Sequence, residues 1–268
     1  MTLTFTPLPQ MPLIYPGDNL ADMLLASIHA ARISLEDGDI LVIAQKIVSK
    51  AEGRLVNLAT ITPSKEAIEL ANRCEKDPRL VDLILSESNE VLRVRPGTII
   101  VEHRLGFICA SAGIDHSNVS PPPSGGGLGL RSEGTGTNAG DWVLLLPEDP
   151  DLSALGIRRR VKFATGNRIG VMIIDSHGRA WRLGTIGTAI GISGIPGVVD
   201  ERGWPDLFGY RLKITIVAAA DELAAAASLV MGEAAEGIPA VHVRGFPFPL
   251  REGSLKELIR SKENDLFR

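Results

Sequence analysis

Apolar and polar positions switch repeatedly between two periods along this chain, and the switches predict a mixture of helices and strands. Asp18 and Asn19 precede residues 20–31, where apolar side chains recur at helical spacing, so a capped amphipathic helix is expected there. Glu36, Asp37, Gly38 and Asp39 then make a turn into an apolar strand over 40–44. Further helices are expected over 64–74 and around 80–85, followed by short strands near 91–94, 98–103 and 105–110. A helix over 153–164 ends at Thr165 and Gly166 in the manner of a glycine C-cap. The nearly apolar strand that follows, over 168–174, runs into a polar turn of Asp175, Ser176, His177, Gly178 and Arg179. Residues 213–219 read as a buried strand, 221–231 as an Ala-rich helix, 240–243 as a strand and 254–265 as a charged helix. No regular strand–helix–strand rhythm links these elements. The expected class is therefore α+β, with mixed sheets and packed helices, rather than a doubly wound sheet.

Composition narrows the partners. The chain has 268 residues, 44% hydrophobic and 22% charged, which fits a globular protein and excludes disordered, collagen-like and disulfide-scaffold classes. With 28 Lys+Arg against 32 Asp+Glu, the net charge of −4 gives no field that would draw nucleic acid, and 4% aromatics make a poor base-stacking surface. The N-terminus has neither a basic nor an apolar leader region, and the longest apolar run, 214–220, is too short to span a bilayer. A cytoplasmic protein without a membrane partner is expected. Cys74 and Cys109 form no metal-ligand spacing and read as buried thiols. No fixed-period repeat occurs, while residues 120–139 form a Pro/Gly/Ser-rich insertion expected to be flexible, either a plain linker or a lid.

The common nucleotide fingerprints are missing, as are the zinc-hydrolase and nucleophile-elbow motifs. What remains is a set of carboxylates at the ends of apolar segments: Asp115 after Ala112-Gly113-Ile114, Asp175 after a strand, and Glu233 after Met231-Gly232. If they converge, their repulsion calls for a hard divalent cation with oxygen ligands; otherwise each is a cap or turn carboxylate in water. Lys46 and Lys50 share one face of any helix that follows the 40–44 strand, and would meet phosphate or simply solvent. Arg158, Arg159 and Arg160 read as helix surface charge. Gly184, Gly187, Gly191, Gly194 and Gly197 suggest either close backbone approach to a ligand or tight turns.

Across nearly the whole chain these residues resemble the coenzyme F420-0:L-glutamate ligases, the γ-glutamyl ligases of a deazaflavin coenzyme. The resemblance rests on ordered blocks: Leu13-Ile14 with Gly17-Asp18; residues 46–54; residues 112–118; residues 174–182; residues 189–194; Asp221-Glu222; and Met231-Gly232-Glu233 with residues 237–241. It implies a γ-glutamyl ligase-like fold, a single catalytic unit over 1–268 with two intertwined subdomains, and a homodimer. It also implies the ligase portion alone, without the nitroreductase-like domain fused to some relatives.

The implied reaction is GTP-dependent attachment of L-glutamate to the lactyl-phosphate end of F420-0, with further γ-linked glutamates, in the presence of two Mg²⁺ or Mn²⁺ ions and K⁺. Asp115 and Asp175 would bind one divalent ion, Ser176 and Glu233 the second. GTP contacts would come from Pro9, Gln10, Met11 and Pro12, from Gln45, Lys46, Lys50 and Asn118, and from Met231, Gly232, Glu233, Ala234, Ala235, Glu236, Gly237 and Ile238. The chemistry is coherent, since a carboxylate must be activated, most simply as an acyl phosphate, before an amine attacks it. Arg179 and Arg182 are candidates to grip carboxylate or phosphodiester. Three positions depart from the family pattern: Ser111 stands where Asn is usual, Ser176 where Thr is frequent, and Leu183 where a basic or polar residue is common. The rival readings are a related amide ligase acting on another acid and a non-catalytic nucleotide-binding relative.

Overall fold

The computed structural model describes residues 2–119 and 141–267, and the 120–139 insertion lies outside them. The chain forms two compact units: one from residues 1–13, 19–45 and 148–268, the other from 14–18 and 46–147. Both mix helices and strands, as the α+β reading expects.

The first unit is built on a five-stranded sheet. Its strands are β1 (Thr4–Pro7), β2 (Ile40–Ala44), β8 (Gly170–Gly178), β9 (Thr185–Ser193) and β12 (Ala240–Arg244), in the order β1-β12-β2-β8-β9. Only β2 and β8 run parallel, from Ile40 opposite Gly170 to Ala44 opposite Ile174, and the other pairs are antiparallel. Apolar runs buried on both faces suit such central strands, and residues 40–43 and 171–173 are all fully buried. Helix α6 (Ala219–Met231) lays Leu223, Ala224 and Ala227 against Met172, Ile174, Val241 and Val243. Helix α5 (Pro150–Thr165) packs on β8 and β9, and α1 (Leu20–Ala30) packs on α5. Their caps match the sequence: the Asn19 side chain accepts from the Asp22 N–H, and Gly166 closes α5 at φ 81°.

The second unit holds an antiparallel sheet of β4 (Ser88–Arg95), β5 (Thr98–His103) and β6 (Ile108–Ala110), together with a ladder of β3 (Leu55–Asn57) and β7 (Trp142–Leu144). Helices α3 (Lys65–Cys74) and α4 (Pro78–Ser86) pack together over Ile99, Val101 and Cys109, capped by Ser64 and Asp77. Both cysteines are buried free thiols, as expected. Helix α2 (Gln45–Ala51) leads in directly from β2.

Four expectations need correction. Residues 175–178 are not a turn, because β8 continues through them paired with β9. The glycine-rich stretch is largely strand β9, where Gly187 and Gly191 admit helices, while Gly184 at φ 84° and Gly194 at φ 75° flank the strand in left-handed bends. Between the pairs Ile173–Gly191 and Ile174–Ala189, β9 carries one extra residue, Ile190; this bulge switches which face its side chains take. A Cβ on Gly187 would lie 2.6 Å from the Ala224 carbonyl oxygen on α6, and one on Gly191 2.5 Å from the Pro150 backbone at the start of α5. The expected 213–219 strand shrinks to β11 (Ile216–Val217), paired with β10 (Val199–Asp200), and Ile214 is exposed. The expected helix over 254–265 is two short 3₁₀ turns, Leu255–Glu257 and Lys262–Asn264. There tertiary bonds override helical pattern, since the Asp151 carboxylate accepts the Leu255 N–H at 3.0 Å and Glu257 accepts the Gly197 N–H at 3.0 Å.

Gly187→Ala is expected to destabilise the fold by about 1–3 kcal/mol, because the added methyl would lie 2.6 Å from the Ala224 carbonyl oxygen and 2.7 Å from Ser228 Cβ, atoms that move only with α6. Gly178→Ala, with open space around it, serves as control. Thermal denaturation of the two variants checks the contrast, and equal midpoints would contradict this account of β9.

Candidate functional site

In the first unit, sheet register gathers four separate segments at one edge. The pairing of Ala44 with Ile174 makes Gln45 and Asp175 the next residues of two neighbouring parallel strands, at their shared carboxyl end. This is the edge at which open sheets with parallel strands place ligands. The Ala44 N–H donates to the Pro239 carbonyl at 2.8 Å, so residues 231–238 arrive at the same edge before entering β12. The Leu8 N–H donates to the Ala240 carbonyl at 2.9 Å, so Pro9, Gln10, Met11 and Pro12 leave β1 there too. The Ser27 hydroxyl of α1 holds the Pro9 carbonyl.

Beyond Ile174, β8 presents polar side chains alternately to its two faces. Asp175 and His177 share one face, with His177 Nε2 3.0 Å from Asp175 Oδ2, and the Thr188 hydroxyl donates to the Asp175 carbonyl at 3.2 Å. Ser176 takes the other face, where its hydroxyl lies 2.7 and 2.9 Å from the two carboxylate oxygens of Glu233. Glu233 follows the end of α6 at Gly232, φ 74°. Further along this loop the Ala234 N–H donates to Glu236 at 2.8 Å, and converging N–H groups of residues 234, 236 and 235 hold the Glu236 carboxyl below its ordinary range. Successive N–H groups around one anion form a nest of the kind that also cradles phosphate. At the opposite end of α6, burial pushes the Asp221 carboxyl up, while its bond from the Ala189 N–H at 3.0 Å and the nearby His177 pull it down.

The second unit has its own cluster. Lys46 Nζ lies 3.3 Å from Asp115 Oδ1 and donates to the Ser117 hydroxyl at 2.8 Å and the Ser117 carbonyl at 3.2 Å. Lys50 Nζ donates to the Asn118 carbonyl at 2.7 Å. Four residues apart on α2, the two ammonium groups share a face, as the spacing predicts. Burial lowers the Lys50 pKa, and the charge of Lys46 lowers it further against the pull of Asp115. Asp115 is fixed by a two-way backbone bridge to Leu144, with N–O distances of 3.0 and 2.9 Å. Just before it, Ser111, Ala112 and Gly113 all take left-handed backbone, at φ 51°, 53° and 64°. Left-handed L residues in series are strained, and such strain concentrates at functional sites.

Each sequence-predicted residue can now be placed. Asp175, Ser176, Glu233, Gln45, 9–12 and 231–238 gather at the sheet edge of the first unit; Asp115, Lys46, Lys50 and Asn118 gather in the second. Arg179 and Arg182 lie at the exposed tip beyond β8, where Arg179 Nη2 donates to the Leu183 carbonyl at 3.3 Å. Arg158 and Arg160 are anchors rather than free surface charge: Arg158 holds the Ile169 carbonyl at 2.9 Å and Glu252 at 2.6 Å, and Arg160 holds Asp22 at 2.7 Å. Sequence reasoning gave no role to His177, Ser117 or Asp221. Extending the period of two past Ile174 would have paired His177 with Asp175.

The donor chemistry fits hard divalent cations. Among the described residues no three His, Cys, Asp or Glu side chains group together as a metal cage. The Ser176–Glu233 set nevertheless spaces its oxygens at 2.7 and 2.9 Å. Cis ligands at ~2.1 Å on an octahedral ion stand about 3 Å apart, so one Mg²⁺-sized ion accommodates this spacing.

Comparison with known proteins bears on the chain as a whole. The family model described as F420-0:Gamma-glutamyl ligase matches residues 9–245. The Coenzyme F420:L-glutamate ligase of Methanothermobacter thermautotrophicus is 46% identical over 260 residues, 96% of this chain and 96% of the relative. That of Methanopyrus kandleri is 46% identical over 271 residues, 100% of this chain and 98% of the relative. That of Methanocaldococcus jannaschii is 44% identical over 261 residues, 97% and 94%.

The left-handed conformation of Ser111 explains why Asn suits that position, since Asn tolerates this region better than Ser. Ser111→Asn is expected to stabilise the protein by about 0.5–1 kcal/mol, a rise in Tm of roughly 1–4 °C. Calorimetry checks it, and an unchanged or lower midpoint counts against strain at this turn.

Proposed function

Because this chain belongs to the F420-0:gamma-glutamyl ligase family, we propose that it joins L-glutamate to the acid end of coenzyme F420-0 with GTP as the activating co-substrate. The observation that carries this reading is the convergence at one sheet edge of Gln45, Asp175 and the 9–12 and 231–238 segments. Loops that bring backbone N–H groups beside oxygen donors suit a metal-bound triphosphate.

In this reading the acceptor carboxylate attacks the γ-phosphorus of GTP and GDP departs. The glutamate amine then attacks the acyl carbon, a proton is lost from nitrogen, and inorganic phosphate leaves. Divalent cations, when bound, neutralise the charge that keeps carboxylate and triphosphate apart. In the first unit Asp175 would hold one, Ser176 and Glu233 the other, with K⁺ assisting; in the second unit Asp115 is a further candidate ligand. Lys46 and Lys50 bring positive charge for the phosphates, and the lowered pKa of Lys50 reflects the burial that strengthens such contacts. The N–H groups at 234–236 would donate to a phosphate oxygen in place of Glu236. Arg179 and Arg182 would grip the acceptor's phosphodiester or the incoming glutamate. Addition of further γ-linked glutamates belongs to the same proposal.

A homodimer is part of it as well. The arm between β10 and β11 exposes Trp204, Leu207, Phe208 and Tyr210, a concentration of apolar surface that supports burial against a second copy. Among the described residues no helix is long and apolar enough to cross a membrane.

Incubation of the purified protein with F420-0, L-glutamate, GTP and Mn²⁺ is expected to yield GDP and glutamylated product by mass spectrometry. Formation of neither would refute the reading. Asp175→Asn is expected to lower turnover roughly a thousandfold, the worth of several kcal/mol of metal-derived stabilisation, with Tm unchanged. Retained activity would remove Asp175 from the metal site.

A further inference from the structure

We infer that His177 is a positioning residue that fixes the rotamer of Asp175 and reserves one of its two carboxylate oxygens for a divalent cation. This rests on the metal reading of Asp175 given above. Three observations carry it. His177 Nε2 stands 3.0 Å from Asp175 Oδ2, and a carboxylate only accepts, so the imidazole donates through Nε2–H. That bond engages Oδ2, and Oδ1, which accepts no hydrogen bond among the described residues, is the oxygen left for a ligand. The two side chains are 12% and 11% exposed, so water competes little for the bond. Finally, strand geometry sets the pair without any loop. Residues two apart on β8 fall on one face, Thr188 opposite Asp175 holds its carbonyl at 3.2 Å, and Ile186 pairs with His177. The imidazole therefore stands on the same rigid ladder as the carboxylate it orients, which is the arrangement by which groups behind a ligand tune metal affinity.

The test is Mn²⁺ binding measured by electron paramagnetic resonance, with Mn²⁺ alone as the probe, on the full-length protein and on His177→Ala and His177→Gln. His177→Ala is expected to weaken binding by about ten- to a hundredfold while the melting midpoint stays within a few degrees. His177→Gln, whose amide N–H reaches the position of Nε2, is expected to restore most of the affinity. A purely structural histidine would lower the melting midpoint and leave Mn²⁺ affinity alone, and that result overturns the inference. Equal affinity in all three proteins overturns it too, while the metal reading stands. If the unsubstituted protein binds no Mn²⁺, the metal reading falls and this inference with it. Should His177→Ala fail to fold, His177→Phe, which keeps a ring but carries no N–H, takes its place: a loss of tenfold or more at an unchanged melting midpoint supports the role, and any smaller loss overturns it.

Discussion

The parallel pairing of β2 with β8 is the contact on which the first unit's chemistry depends. An antiparallel neighbour would send the two chains off the sheet at opposite ends. Because Ala44 lies beside Ile174 in parallel register, Gln45 and Asp175 emerge together, and β12, antiparallel to β2, returns residues 231–238 to the same rim. The apolar residues that make this pairing obligatory, 40–43 and 171–173, carry no chemistry themselves. Their burial on both faces fixes a register in which a slip of one residue would turn Asp175 toward the opposite face.

The bulge at Ile190 is the second determinant. It lets β9 offer small residues first to α6 and then to α5, so a single strand accommodates helices on both sides of the sheet. With β9 held in this way, the polar extension of β8 from Asp175 to Gly178 keeps a partner after β2 has ended. Asp175 and Ser176 thus stand on a ladder rather than on a loop, and a ladder holds angles that a loop would let drift.

Much of this was legible in the sequence. The helix cap at Asn19, the strand over 40–44, the glycine stop at 166 and the shared face of Lys46 and Lys50 all follow from local rules of capping and period. The carboxylates at the ends of apolar runs were visible for the same reason. The failures have a common cause, which is tertiary structure overriding a local signal. Asp175 to Gly178 looked like a turn because polar residues and a glycine follow an apolar run, yet β9 continues to pair with them. The glycines of β9 looked like loop residues because the helices they admit are remote in sequence. The C-terminal charged stretch lost its helix to carboxylates at Asp151 and Glu257 that bind backbone elsewhere. His177 escaped notice because its meaning depends on that unforeseen strand extension.

The order of segments has a consequence for how the molecule is made. Nearly all of the second unit lies in sequence between β2 and β8, so a ribosome delivers it complete before the strand that must pair with β2 exists. Until then β2, apolar on both faces, waits without its parallel partner, and β12 comes later still. Non-local parallel pairing is slow and leaves sticky edges exposed in the meantime. The rim that gathers the candidate site therefore closes only after β8 and β12 have been delivered, and a nascent chain stalled before residue 170 carries β2 without its parallel partner.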